Sequence, residues 1–181
     1  MGNRKMIGLK RHIVRVVNYN PSWADLAARA CRRILEVGAD LIVDVQHVGS
    51  TSVPGLPAKP ILDLAAAVSS LNVIPELIKK LTVLGYIYRG DGHSAGGHLF
   101  VWESKPDVRT IHLHIVKIDD VQWTNYLRFR DILRQKLGVR KRYAALKQEL
   151  SKRFPNDRKL YTNSKQDFIR GILSEKAQHQ D

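Results

Sequence analysis

Between residues 41 and 68 two apolar runs, LIVDVQHV (41–48) and PILDLAAAV (60–68), flank the segment GSTSVPGLPAK. Runs this short, rich in β-branched and small apolar residues, read as strands and not as long helices. The glycines, prolines and hydroxyls between them belong to neither a helix interior nor a strand interior, so residues 49–59 form a loop between two strands. Any fold open to the chain must therefore carry a sheet with this loop at one end.

The remaining sequence is organised around that sheet. HIVRVV (12–17) reads as a short strand, and residues 21–39 as a helix with Pro21 in its first turn, Trp23, Leu26, Ala27, Ala30, Ile34 and Leu35 recurring at helical spacing, and Gly38 closing it. A second helix over 73–85 ends at Gly85. Then come YIYR (86–89), a glycine-rich loop (90–97), and the strands HLFVWE (98–103) and RTIHLHIVK (109–117), which suit an antiparallel arrangement. Two apolar stripes follow, Tyr126, Phe129, Leu133 and Leu137, then Tyr143, Leu146, Leu150 and Phe154, separated by Gly138 as a helical hairpin. A last helix over 159–173 aligns Tyr161, Lys165, Phe168, Ile169 and Ile172, and the end from Glu175 is expected to fray. The expected fold class is α/β (α+β), a small mixed sheet flanked by helices, with a helical C-terminal part. A single domain over residues 1–181 is expected, its sheet core at about 12–120 and its C-terminal helices at about 121–175.

Composition bounds the partners. The formal net charge is +13, which favours polyanions such as nucleotide phosphates and nucleic acid. Much of the excess lies in residues 128–154, read either as a solvated helical surface or as a phosphate-facing one. With no long apolar run and no secretory leader, neither a membrane partner nor export is expected. The single cysteine, Cys31, has no internal partner and suits a packing role in a cytoplasmic protein.

Gly49, Ser50 and Thr51, directly after a strand, offer backbone N–H groups and hydroxyls to a phosphate. The loop is not a Walker A loop, because Lys59 is followed by Pro60. In PILDLAAAV, alternation puts Ile61, Asp63, Ala65 and Ala67 on one face, so Asp63 interrupts an apolar element and requires a partner. On RTIHLHIVK, Thr110, His112, His114 and Val116 likewise share a face, setting two imidazoles side by side. If the two strands adjoin, Asp63, His112 and His114 form a two-histidine, one-carboxylate set. Such a set suits zinc, manganese or iron better than magnesium.

HVGSTSVPGLPAKPILDL, followed in order by HLHIV, YLRFRDILR, YAALKQEL and YTNSKQDFI, resembles the GrpB family of nucleotidyltransferase-fold proteins from about Val14 to Leu173. The resemblance implies a sheet of the DNA polymerase beta superfamily. In that superfamily a Gly-Ser motif, matched by Gly49 and Ser50, precedes a strand with an Asp-x-Asp pair that holds magnesium and a nucleoside triphosphate. Asp63 matches the first aspartate, but Ala65 stands at the second. Gln46 replaces a glutamate usual in the family, and Gly97 and His98 stand where arginines are usual.

Three functions are expected from these residues. The first is metal-assisted nucleotidyl transfer to a small acceptor. Here Gly49, Ser50, Thr51 and Lys165 bind phosphate, Lys59 offsets developing charge, and Asp63 carries the metal with His112 and His114. His114 is also the candidate base, and His47 is a further candidate site residue. The cofactor is a divalent metal, magnesium or manganese ahead of zinc. The second is a nucleotide- or coenzyme A-related binding module without turnover, favoured by Ala65; the resemblance extends to segments of some dephospho-coenzyme A kinases and so implies an adenine-containing ligand. The third is RNA binding, for which charge alone argues and which is expected to be weak and unselective.

Overall fold

The computed structural model describes residues 7–91 and 97–175. Most of the glycine-rich loop expected at 90–97 lies outside these residues, as does the expected frayed end beyond Glu175.

Six strands form one mixed sheet: β1 (Leu9–Lys10), β2 (Asp44–Val48), β3 (Leu62–Val68), β4 (Tyr86–Tyr88), β5 (His98–Lys105) and β6 (Val108–Lys117). The order is β2-β3-β6-β5-β4, with β1 pairing the start of β6. Only β3 and β6 are parallel; the other pairs are antiparallel. The expected mixed sheet and the antiparallel β4-β5-β6 unit are both present.

β3 is an inner strand, between β2 and β6, and is covered on both faces, which explains its almost unbroken apolar run. On one face Leu62, Leu64, Ala66 and Val68 pack with Trp23, Ala27 and Ile34 of α1 (Ser22–Gly38) and Leu77 and Leu81 of α2 (Ile74–Val83). On the other, Ala65 and Ala67 join Val48, Val116 and Trp123, the last on α3 (Val121–Gln135). The small side chains of β3 let α3 lie close over the sheet. Cys31 packs partly buried against the first core, and burial pushes its thiol up to about 11.

Three local expectations are corrected. Residues 12–17 form no strand: Val17 bridges Ala58, while Val14 donates its N–H to Pro155 O and packs with Leu150 and Tyr161. Apolar contact with the C-terminal helices outweighs the β-propensity of this stretch. α1 does end at Gly38, as expected, with Ala39 taking the positive φ of 43°; Gly38 also admits Ile42, whose Cδ1 would crowd an added Cβ.

The break between the long C-terminal helices falls at Lys136, whose backbone is extended, and α4 (Leu137–Arg153) begins before Gly138. Glycine is tolerated there because the first turn of a helix lacks internal N–H partners. Leu137 is consequently exposed and Val139 takes the buried place. Finally, the expected helix over 159–173 is two: α5 (Arg158–Asn163), capped by the Asp157 carboxylate on Leu160 N, and α6 (Gln166–Ser174). Lys165 stands at their junction. Among the described residues no helix is long and apolar enough to cross a membrane.

Candidate functional site

β3 and β6 pair in parallel register with Asp63 opposite His112 and Ala65 opposite His114. The expected adjacency therefore exists, on the face turned toward α3. The antiparallel β2-β3 pair sets Val48 opposite Asp63, so the chain leaves β2 directly beside the carboxylate. Gly49 makes that turn with φ 67°, a conformation costly for any other residue, and a short 3₁₀ turn over Ser50–Ser52 follows.

A cavity of about 440 Å³ opens here, lined by Gly49, Ser50 and Thr51, by Asp63, His112 and His114, and by side chains of the C-terminal helices. Among the described lining residues, Asp63 is the one carboxylate, set against Lys59, Arg109, Lys147, Arg158, Lys165 and Arg170. The charged lining of the cavity is thus predominantly cationic. Its aromatic supports are Tyr143, which shares a hydrogen bond with Ser50, and Tyr161. Lys59 and Lys165 each place Nζ over the Tyr161 ring, at 4.8 and 4.5 Å. Lys147, itself 2% exposed, donates to Pro57 O and lies over the Tyr143 ring.

Burial works against these charges. It holds Lys59 and Lys147 well below the usual lysine range and brings Lys165 down to about 8. Burial alone would raise the Asp63 carboxyl. The hydrogen bond from His112 and the Coulombic pull of the groups around Asp63, Lys59 among them, outweigh it and hold the carboxyl well below the usual range.

His112 is held from both sides. Its Nδ1 lies 3.1 Å from Asp63 Oδ1 and its Nε2 3.0 Å from Arg158 Nη2. A guanidinium only donates, so Nε2 must accept and the proton must sit on Nδ1, donated to Asp63. Burial brings this imidazole down to about 4, in keeping with a neutral ring. His114 packs on Tyr126 at 5.5 Å between ring centroids.

Asp63, His112 and His114 each offer a ligand atom, all within 4.8 Å of one another. The donor set fits a divalent ion of the manganese or zinc kind. In this arrangement His112 has both nitrogens engaged, Nδ1 by Asp63 and Nε2 by Arg158. No second carboxylate adjoins Asp63 on the strand: Ala65 is fully buried, packed with Trp123.

Two expected residues, Thr51 and His47, pair with each other at the turn. Thr51 lines the cavity but its hydroxyl is 2.9 Å from His47 Nε2, and burial pushes His47 down to about 4. The two form a support beneath the turn. Arg130 and Arg134 of α3 are not a free basic surface: Arg130 donates to Gln46 Oε1 and His47 O, and Arg134 to Ser52 O. They clamp α3 onto β2 and the turn. Sequence reasoning missed Arg109, Lys147 and Arg158; for Lys147 a signal existed, since it follows Tyr143 by one helical turn on the buried stripe.

The family described as GrpB protein matches residues 13–175. The glutamate-rich protein GrpB of Alkalihalophilus pseudofirmus is 30% identical over 94% of this chain and 99% of that protein. YqkA, a UPF0157 protein of Bacillus subtilis, is 30% identical over 87% of this chain, which spans only 45% of YqkA's own length. A dephospho-CoA kinase of Mycobacterium tuberculosis shares 37% identity over 43% of this chain and 20% of the kinase. Among solved structures, the conserved protein GrpB from Enterococcus faecalis matches with TM-score 0.78 and 30% identity, over 87% of this chain and 94% of that one. A cytoplasmic RNA terminal U-transferase matches with TM-score 0.51 and 9% identity over 76% of this chain and 42% of that one, a likeness of fold alone. The fold is therefore nucleotidyltransferase-like.

Proposed function

The chain belongs to the GrpB family, and we propose that its cavity binds a nucleoside triphosphate by the phosphates and supports metal-assisted transfer of the nucleotidyl group to a small-molecule acceptor. The observation that carries this reading is Asp63, the one carboxylate among the described lining residues, set beside a Gly-Ser turn in a cavity whose other charged side chains are lysines and arginines. Gly49, Ser50 and Lys165 would hold phosphate, and Lys59 and Lys147 would offset the charge that develops on the leaving pyrophosphate. Asp63 and His114 would hold one divalent ion, manganese, magnesium or zinc, which when bound neutralises phosphate charge and polarises a phosphoryl oxygen. His112 orients Asp63 by its Nδ1–H. An adenine-containing ligand is supported by the matched segment of the dephospho-CoA kinase. A cytoplasmic location belongs to the same reading.

A second reading, a nucleotide- or coenzyme-binding module without turnover, is favoured by the buried Ala65 where the superfamily resemblance implies a carboxylate. Pyrophosphate release, measured with a triphosphate, manganese and a panel of small acceptors, separates the two. Release that disappears in Asp63→Asn with the fold intact supports transfer. Binding without release from any acceptor supports the module.

A further inference from the structure

We infer that Arg158 decides whether His112 serves as a metal ligand: while it donates to Nε2, His112 only orients Asp63, and an anion that draws the guanidinium away opens Nε2 to a metal. The inference rests on reading the cavity as a phosphate site. Arg158 begins α5 and crosses to the sheet, with Nη2 3.0 Å from His112 Nε2 and Nη1 at 3.5 Å from Arg11 O. Both acceptors are neutral, and the second contact is long. Phosphate oxygens bind a guanidinium by charge-assisted pairs roughly twice as strong as neutral ones.

Arg158 also lines the cavity, so a bound phosphate competes for it directly. Arg109 lines the same wall, and its buried Nε has no hydrogen-bond partner among the described residues. Two guanidinium groups with unmet or weakly met donors thus face one space. An anion there satisfies Arg109 and shifts Arg158 off His112. The ring then has Nε2 free while Nδ1–H still holds Asp63, so a metal at Nε2 takes His112 as a ligand with the carboxylate supporting the ring from the opposite nitrogen. Anion binding and metal binding become linked through one side chain.

The test has two arms. In the parent protein labelled with ¹⁵N-histidine, the His112 resonances, assigned with His112→Gln, should show a neutral ring protonated on Nδ1. The Nε2 signal should move when inorganic pyrophosphate binds. Pyrophosphate that binds, by calorimetry, without moving Nε2 overturns the inference and leaves the phosphate reading standing; pyrophosphate that does not bind overturns both. The second arm uses zinc alone, with no anion. Arg158→Gln should bind zinc about tenfold more tightly than the parent, and adding His112→Gln should abolish the gain. No gain, or a gain that survives without His112 and so reflects only the lost positive charge, overturns the inference.

Discussion

Gly49 lies against Asp63 so closely that a Cβ at position 49 would stand 2.7 Å from Oδ2 and 2.9 Å from the aspartate Cβ. The turn after β2 therefore fits the carboxylate only as glycine, for reasons of space as well as of its positive φ. Gly49→Ala should destabilise the protein by about 1–3 kcal/mol and weaken triphosphate binding in the same variant. Urea denaturation with a parallel binding titration checks both. An alanine variant of parental stability and affinity would show that the turn yields at no cost.

Lys147 is a cationic side chain buried by the fold, held by Pro57 O and the Tyr143 ring and, among the described residues, by no carboxylate in hydrogen-bond contact. A charge buried this way weakens a protein unless a ligand compensates it. Lys147→Met, which keeps the length of the side chain, should leave the unfolding midpoint unchanged or raised. It should lower triphosphate affinity about tenfold. A variant that loses stability and keeps affinity would make Lys147 a tie to Pro57 and nothing more.

His47 supports the Gly-Ser turn through Thr51 and, buried, is held down to about 4 from an ordinary value of 6.5. Between these values the unfolded chain binds the proton and the folded chain refuses it. Stability carried by neutral His47 is thus full above about pH 6.5 and is lost as the pH falls toward 4. The loss should be on the order of 2 kcal/mol between pH 7 and pH 4.5. Urea midpoints at the two pH values should differ less in His47→Gln than in the parent. Equal differences would assign the acid sensitivity elsewhere.

How much of this was legible in the sequence follows from how local each signal is. Strand alternation placed Asp63 on one face of PILDLAAAV and His112 and His114 on one face of RTIHLHIVK, because the period of a strand is fixed by its backbone. That these faces adjoin depends on a parallel pairing between segments distant in sequence, which no local pattern encodes. The cations of the cavity were hidden for another reason: Lys147 and Arg158 sit on helices whose basic residues look solvated, and only tertiary packing turns them inward. Arg130 and Arg134 looked like the same surface and are clamps on β2 and the turn. Val14 and Val16 suggested a strand, and the C-terminal helices claimed them instead.

The same clamps bear on nucleic acid. With Arg130 and Arg134 engaged inside the protein, the remaining basic residues of α4 should bind single-stranded RNA weakly and without sequence preference. Affinity should fall steeply with salt. Filter binding across a salt series checks this. Selective binding of one RNA, tighter than about 1 µM at physiological salt, would lift RNA above a nucleotide as the ligand; weak binding of a typical non-specific kind would not.

Calorimetric titration of ATP, with and without manganese, into the parent protein, Lys165→Met and Asp63→Asn tests the central claim most directly. The parent should bind ATP, and more tightly with manganese. Lys165→Met should lose about tenfold in affinity under both conditions, and Asp63→Asn should keep its fold but lose the manganese dependence. No binding of ATP by the parent, or binding that neither substitution changes, would contradict a cavity built for nucleotide phosphates.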